Sequence, residues 1–595
     1  YYRVQDFTFA IVIVIILKTV DCYLSESCIK KIHCLNRSFK EMSTDVCRLR
    51  NLDFSKLREP RTGYANQEQI QMTRVDMATA GIIHHLLHPG MLIHYVKGEY
   101  VGESRDVNKI VNDVSPYIDR QDVEHITRIL TSGCSSCIDI EESSDMKSYI
   151  IEKGNQASFK MYPEIVKKTM NKEDKHSHLL PVKLWVLHFS PWCRHTAHVI
   201  LVKPGRNPHV IFDASTKGSP HEVVLNKFTP TEFEASITFG DAKINLLCQI
   251  YNWRVSYPQE ITFLALADIT ACFRFPRIHA DLTGAFGFMA DKFFFLATSM
   301  VFRSTASASS WEPFQRAIQA LIPMLSMKDD LVDHHKHLLD MLKWDDDQLQ
   351  KEFVQAVPCS LNPGIPTNSS VGLEAYIYVD DILASAVGKK NILRLLAAII
   401  EAIFIVVGRV DIERRQCPLS IEKWNESVVS PVQTVLGLTV DTNKMIVSIT
   451  QEYKSQVSDL LATKWPDTRR YFRVHDIQKL VGKIARLGDG APWIYKIMLH
   501  LYTSLASALK TNKEFLENSS LGFRELCELI NKKQFNIPHS KLQKEVCYVM
   551  KKAAKMINNH KVVYHINETM REELNLFNQA LSDSPNIKFS TSIAF

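Results

Sequence analysis

The run Tyr376-Ile377-Tyr378-Val379-Asp380-Asp381-Ile382-Leu383 constrains the fold more than any other stretch of the chain. β-Branched and aromatic residues lead into two adjacent carboxylates, and another apolar pair follows. This pattern predicts a hairpin with the acids near its tip and the flanking residues buried. Neighbouring aspartates between buried strands repel each other, and a cation relieves the repulsion. Oxygen-only ligands of this kind suit Mg²⁺, which takes one or two protein carboxylates and leaves its other positions to water and phosphate. A solvated Asp-Asp turn would have the same local sequence, so the rest of the chain must decide.

Length sets the scale of the problem. At 595 residues the chain is too long for one core, and three or four domains or subdomains are expected. Hydrophobic content of 46% and charged content of 23% are those of an ordinary globular protein. The net charge of +6 is small for this length, so any nucleic-acid surface has to be local. Thirteen cysteines, an odd number, do not make a disulfide framework and predict a reducing, intracellular compartment. The chain starts at Tyr1 and stops at Phe595 without a boundary signal, which suggests a piece of a longer polyprotein.

Residues 7–17 (FTFAIVIVIIL) form the most apolar run. Eleven residues are too few to span a bilayer; with no small-residue cleavage site after them, a buried segment is expected, a targeting signal is the alternative, and no membrane partner is expected. A helix is expected from a cap at Asp122 through Val123–Leu130 to Gly133. Cys134 and Cys137 lack a second Cys pair at zinc-ribbon spacing, and Cys193 with His195 and His198 lacks a fourth ligand. Neither group predicts a metal site. From residue 181 apolar residues alternate around Pro204-Gly205-Arg206-Asn207-Pro208, giving a two-stranded ribbon with Lys203 and Arg206 at its tip, where phosphate can be met.

Ile261 to Ala267 is a continuous apolar strand closed by Asp268, with Phe273 five residues later. A lone carboxylate closing a buried strand is costly unless it is paired or binds a metal. A second hairpin is expected around Ala290-Asp291-Lys292. An amphipathic helix is expected over 307–325, with Trp311, Phe314, Ile318, Leu321 and Leu325 on its apolar face. Residues 327–370 look like an insertion. Its dense Asp/His cluster is read as a solvated face around the stripe Leu331, Leu338, Met341 and Leu342. An apolar helix follows over Ile392–Val407, and then two strands around Asp441-Thr442-Asn443-Lys444. Past residue 450 the chain turns helical and locally basic. A helix capped by Asp476 buries Ile477, Leu480, Val481, Ile484 and Leu487 and leaves Lys479, Lys483 and Arg486 facing solvent. A second basic stretch runs from Lys532 to Lys561, and two such stretches beyond a carboxylate site suit a grip on a nucleic-acid backbone.

Taken in order, these motifs resemble the reverse transcriptases of retroviral and retrotransposon polyproteins over roughly residues 150–510. The resemblance implies an α+β right-hand polymerase with fingers, palm and helical thumb, preceded by a mixed N-terminal region. It divides the chain into an N-terminal region of unassigned role (1–150), fingers (151–260), palm (261–450, with the insertion 327–370), thumb (451–515) and a basic helical extension (516–595). Asp268, Asp380 and Asp381 match the family's ligands for two Mg²⁺, with Mn²⁺ a possible substitute. Lys203, Phe273 and Tyr378 match its nucleotide-binding positions, and Leu436, Gly437 and Leu438 its primer grip. The helix with Lys479, Lys483 and Arg486 is similar to a thumb helix that tracks the backbone. The implied partners are an RNA template, a DNA primer and deoxynucleoside triphosphates.

Two departures stand out. The fingers arginine of the family falls on His209, and the Gly and Ser-Pro that precede the post-hairpin helix appear as Arg303 and Ser307-Ala308. They keep open a catalytically decayed remnant that only binds nucleic acid or protein. An RNA-dependent RNA polymerase is a further alternative, which Phe273 and the Tyr-Val-Asp-Asp sequence oppose.

Overall fold

The structure is a computed structural model, and it describes residues 26–58, 70–96, 106–135, 144–202, 208–213, 237, 239–302, 304–344, 372–409, 417–426, 428–488, 494–507, 563–582 and 587–588. The apolar run 7–17, Lys203, Arg206, Arg303, residues 345–370 of the insertion and the stretch Lys532–Lys561 lie outside the described residues. Helices and small, mainly antiparallel sheets make a mixed α+β architecture. The chain divides into two compact units. The first is Tyr1–Ile250, Leu264–Trp344 and Asn362–Val429; the second is Tyr251–Phe263, Asp345–Leu361 and Ser430–Phe595.

The first unit contains an antiparallel sheet of β1 (Leu179–Lys183), β5 (Phe288–Ala290) and β6 (Phe293–Ala297), in the order β1-β6-β5. All five residues of β6, Phe-Phe-Phe-Leu-Ala, are buried, as in a strand covered on both faces. The expected hairpin is present, with Asp291 at φ 53° in the turn. N-terminal helices Glu26–Leu49, Met72–His84 and Pro89–Tyr95 share one core with this sheet, through Ala78, Ile82, Leu92, Leu180, Trp185 and Phe294. A buried hydrogen bond from Trp185 Nε1 to Asp45 Oδ2, 2.8 Å long, ties the first helix to that core. The described residues of these helices are therefore structural members of the first unit.

The ribbon β2 (His198–Leu201) and β3 (His209–Phe212) forms as expected. The apolar segment before it does not continue the ribbon: its start closes β1, and Trp185–Phe189 is a short helix. The helix expected to start at Asp122 starts two residues earlier, at Arg120, and ends at Gly133 (φ 86°). Asp122 caps nothing. It lies in the first turn, buried, and pairs with Arg316 Nη1 at 3.0 Å.

A third sheet carries the motif strands. Strand β4 (Thr262–Asp268) lies beside β9 (Asp381–Val387), which pairs with β8 (Ala375–Tyr378). Helix α1 (Thr305–Ser326) packs against β8, and all five predicted face residues are buried. The insertion begins with a short helix, α2 (Asp330–His334). Helix α3 (Lys389–Val406) is nearly all buried, against α1, α2 and β9. The short helix α4 (Ile421–Glu426) follows, and then β10 (Val428–Val429), which pairs with β7 (Lys343–Trp344). Among the described residues no helix is long and apolar enough to cross a membrane.

In the second unit, the segment read as two strands is three: β11 (Val432–Val435), β12 (Leu438–Asp441) and β13 (Ile446–Ile449). The extra turn falls at Leu436-Gly437, where Val435 pairs with Leu438. Helices α5 (Gln451–Lys464) and α6 (Val474–Gly488) follow. The predicted apolar side of α6 is buried throughout. The helix begins two residues before Asp476, which pairs with Arg469 rather than standing ahead of the helix as its cap.

Candidate active site

Tyr378 faces Asp381 across the β8–β9 hairpin, so the turn is Val379-Asp380, two residues long. Ile377 and Ile382 lock its base, both buried. Two-residue hairpins need left-handed backbone, and here the position falls on Val379, at φ 62°. A β-branched residue there is strained by ~1–3 kcal/mol, so the surroundings must over-determine it. They do. Trp311 Nε1 donates to the Val379 carbonyl at 2.7 Å, and Gln315 Nε2 donates to the Ile377 carbonyl at 3.0 Å. These donors sit one turn apart on α1, so the helix that fills the core also grips the turn.

Asp268 arrives from β4, 112 residues earlier (380 − 268). The Ile269 amide donates to the Asp380 carbonyl at 2.9 Å, which fastens the end of β4 to the turn. The amides of Thr270 and Ser420 donate to the carbonyls of Pro418 and Asp268, which fasten the segment before α4 to the same strand end. One carboxylate oxygen from each of Asp268, Asp380 and Asp381 lies within 4.8 Å of the others. The three residues that the resemblance marks as metal ligands are thus brought together. Burial, then the charges of Asp268 and Asp381, push the Asp380 carboxyl up to about 6. Burial and Asp268 raise Asp381 as well.

Lys423, on α4, donates from Nζ to Asp268 Oδ1 although its side chain is 62% exposed. Burial opposes its charge, but the contact with Asp268 and the fields of the three carboxylates outweigh that and raise its pKa. Cys272 is buried beside the cluster; desolvation, then the charges of Asp380, Asp268 and Asp381, raise its thiol well above the usual range. The residue types fit a hard divalent cation. Three oxygen ligands are gathered, and Lys423 offsets only part of their mutual repulsion, so Asp380 and Asp381 stay raised.

Phe273 follows on a tight turn, Cys272–Arg274, entered through Ala271 at φ 50°. Its ring is half-buried and meets Phe302 edge-on, with centroids 5.2 Å apart. Phe302 is 51% exposed, so the pair offers an apolar surface to solvent. Arg274, the next residue, is anchored by Glu173 at 3.1 Å and by the Met300 carbonyl at 3.2 Å, which fixes the turn from behind. Tyr378 and Tyr376 alternate with buried Ala375 and Ile377 on β8, both half-buried.

In the second unit, Leu436 (φ 47°) and Gly437 (φ 82°) make the β11–β12 turn. Arg486 Nη2 donates to the Leu436 carbonyl at 3.0 Å, and its guanidinium lies 5.3 Å from the Tyr453 ring centroid. Lys483 Nζ lies over the same ring at 4.8 Å. Sequence reasoning set Arg486 beside Lys479 and Lys483 as a phosphate contact. The structure gives Arg486 an intramolecular partner on the turn, while Lys479 is exposed and Lys483 half-buried.

Lys423, Trp311, Gln315 and Phe302 were not singled out by sequence as site residues. Trp311 had a signal, but one that pointed to core packing, and its indole ring does pack there while its N–H turns to the hairpin. Lys423 sits in Ile421-Glu422-Lys423-Trp424, where nothing local marks it.

No family model matches the chain, and no curated protein matches it. Solved structures of a foamy viral protease–reverse transcriptase are similar to it. One, described as "dRH" and in complex with double-stranded DNA, has a TM-score of 0.37 at 11% identity, covering 81% of this chain and 61% of that one. A complex with an RNA/DNA hybrid has a TM-score of 0.32 at 13% identity, covering 68% and 43%. Another, with double-stranded DNA, has a TM-score of 0.34 at 13% identity, covering 68% and 67%. This chain therefore spans less than two thirds of the first two, and the likeness is loose in all three.

Proposed function

We propose that the chain is an RNA-directed DNA polymerase, a nucleotidyltransferase that extends a primer 3′-hydroxyl with deoxynucleotides. The observation that carries the reading is the meeting of Asp268, Asp380 and Asp381 within 4.8 Å at the ends of neighbouring strands. Two hydrophobic runs far apart in sequence have no packing reason to place three carboxylates together, since burial alone penalises the arrangement. Asp268, Asp380 and Asp381 would hold two divalent ions, Mg²⁺ or Mn²⁺. Such ions, when bound, lower the pKa of the attacking hydroxyl and stabilise charge on the leaving oxygen.

The chain's own residues do the rest. Val379, held by Trp311, fixes the turn that sets Asp380 beside Asp381 and Asp268. Phe273 forms an apolar floor for the incoming sugar, where a 2′-hydroxyl would collide with the ring. Lys203 and Tyr378 complete the nucleotide contacts. Leu436, Gly437 and Leu438 support the primer end, and Lys479 and Lys483 meet the backbone. In this reading fingers, palm and thumb fall at 151–260, 261–450 and 451–515, in an intracellular retroelement protein.

Primer extension tests the proposal. A poly-A template with oligo-dT, Mg²⁺ and dTTP should give extended DNA, and Asp380→Asn should abolish it while leaving the fold intact. Extension with UTP in preference to dTTP would assign an RNA-dependent RNA polymerase instead. No extension by a folded chain that still binds the hybrid would assign the decayed remnant, which His209 favours.

A further inference from the structure

The Asp/His-rich start of the insertion is not the uniformly solvated face its composition suggests. His335 caps the C-terminal end of α2 and is 1% exposed, with its ring edge-on to Phe404 of α3. Its Nε2 lies 2.9 Å from Glu401 Oε2, also on α3. His334, one residue earlier, is exposed and stands nearly perpendicular to His335, ring centroids 4.7 Å apart. A ring nitrogen of each histidine and a Glu401 oxygen all lie within 4.8 Å of one another.

We propose that His334, His335 and Glu401 form a second metal site, distinct in chemistry from the aspartate cluster and suited to Zn²⁺. Two imidazoles and one carboxylate are borderline ligands, which select zinc-like ions over Mg²⁺. Ligands bound tetrahedrally at about 2.0–2.1 Å sit roughly 3.3 Å apart. The His335–Glu401 spacing is already close to this. His334 needs only a side-chain rotation to complete the set, and its exposure leaves that rotation open. The other carboxylate oxygen, Glu401 Oε1, accepts from Arg409 Nη2 at 2.9 Å. A ligating carboxylate is commonly held in this way by an outer partner, so Arg409 orients Glu401 and leaves Oε2 to the ion. Three protein ligands, of which His334 lies on the solvent side, leave a fourth position to water. The ion would bolt the insertion to α3, the helix packed behind the strand that carries Asp381.

The competing account is a plain His335–Glu401–Arg409 hydrogen-bonded chain, with His334 a bystander. Zinc binding by the full chain separates the two. Protein stripped with EDTA is titrated with Zn²⁺ in excess Mg²⁺, which keeps the aspartate cluster filled with the harder ion, and Co²⁺ serves as a visible probe of tetrahedral geometry. One site per chain is expected, at micromolar affinity or tighter, with tetrahedral Co²⁺ absorption. His334→Ala, a change at an exposed side chain, should weaken it at least tenfold to a hundredfold, as should Glu401→Gln. Stoichiometric binding unchanged in His334→Ala, or no binding by the wild-type chain, would overturn the site. Neither result depends on polymerase activity.

Discussion

The most informative residue is Asp380, because its environment makes a prediction that does not depend on the proposed activity. Its carboxyl ionises near 6 in the folded, metal-free chain against 3.8 ordinarily. Between these values the folded state holds more protons than the unfolded state, so stability falls as pH rises from about 4 to 6 and stays reduced above. The full effect is about 3 kcal/mol, reduced to roughly 1–2 by partial exposure. Asp380→Asn should therefore melt higher than wild type at pH 7.5 without divalent ions, and the gap should close towards pH 4. Thermal unfolding across pH checks it; equal melting points at pH 7.5 would mean that Lys423 already offsets the repulsion. Phe273 makes the second prediction at this scale. Phe273→Val should raise ribonucleotide incorporation by about tenfold to a hundredfold while sparing most deoxynucleotide use, measured as the ratio of kcat/KM values. Unchanged selectivity in an active variant would reduce the ring to packing against Phe302.

Two hairpins show how elements are specified. Each is a two-residue connection, and each places a non-glycine residue at positive φ: Val379 in one, Leu436 in the other. Each also receives a side-chain donor on its turn carbonyl, from Trp311 and Arg486 respectively. In the second, Gly437 adds a further constraint, because a Cβ there would lie 2.5 Å from Arg486 Nη2. The guanidinium can move, but the φ of 82° cannot. Gly437→Ala should cost about 1–2 kcal/mol, seen as a lower urea midpoint with the slope unchanged. Because the substitution also pushes Arg486 off the Leu436 carbonyl, primer extension should fall by more than the loss of folded protein explains. A drop matching the stability loss alone would make Arg486 a packing residue with no bearing on the primer.

For the whole molecule, the proposed polymerase reading makes electrostatics the means by which nucleic acid would be held. A net charge of +6 over 595 residues gives no global attraction, so binding must come from local lysines and arginines. Affinity for a primer–template should fall steeply with salt, and Lys479→Ala and Lys483→Ala should each flatten the log–log slope by about one unit. The same variants should leave melting temperature almost unchanged, since Lys479 is exposed and Lys483 rests on Tyr453 at half-burial. Affinity that is flat from low to moderate salt would remove these residues from the interface.

What the sequence determined by itself is local. Alternation and turn residues predicted β2–β3, β5–β6 and β8–β9, and helical spacing predicted the buried faces of α1 and α6, because each pattern is set by neighbours a few residues away. Its errors lie where a distant partner wins. Asp122 looked like a helix cap and instead pairs with Arg316, 194 residues on. Leu436-Gly437 turned one expected strand into two because Arg486, 50 residues on, holds the turn. The tertiary structure alone decided that three carboxylates share one site, that Lys423 reaches Asp268 across 155 residues, and that His335 leaves a polar cluster for the core. Coulomb and hydrogen-bond energies depend on distance in space, and no periodicity along the chain encodes which two remote segments will be brought to within a few ångströms.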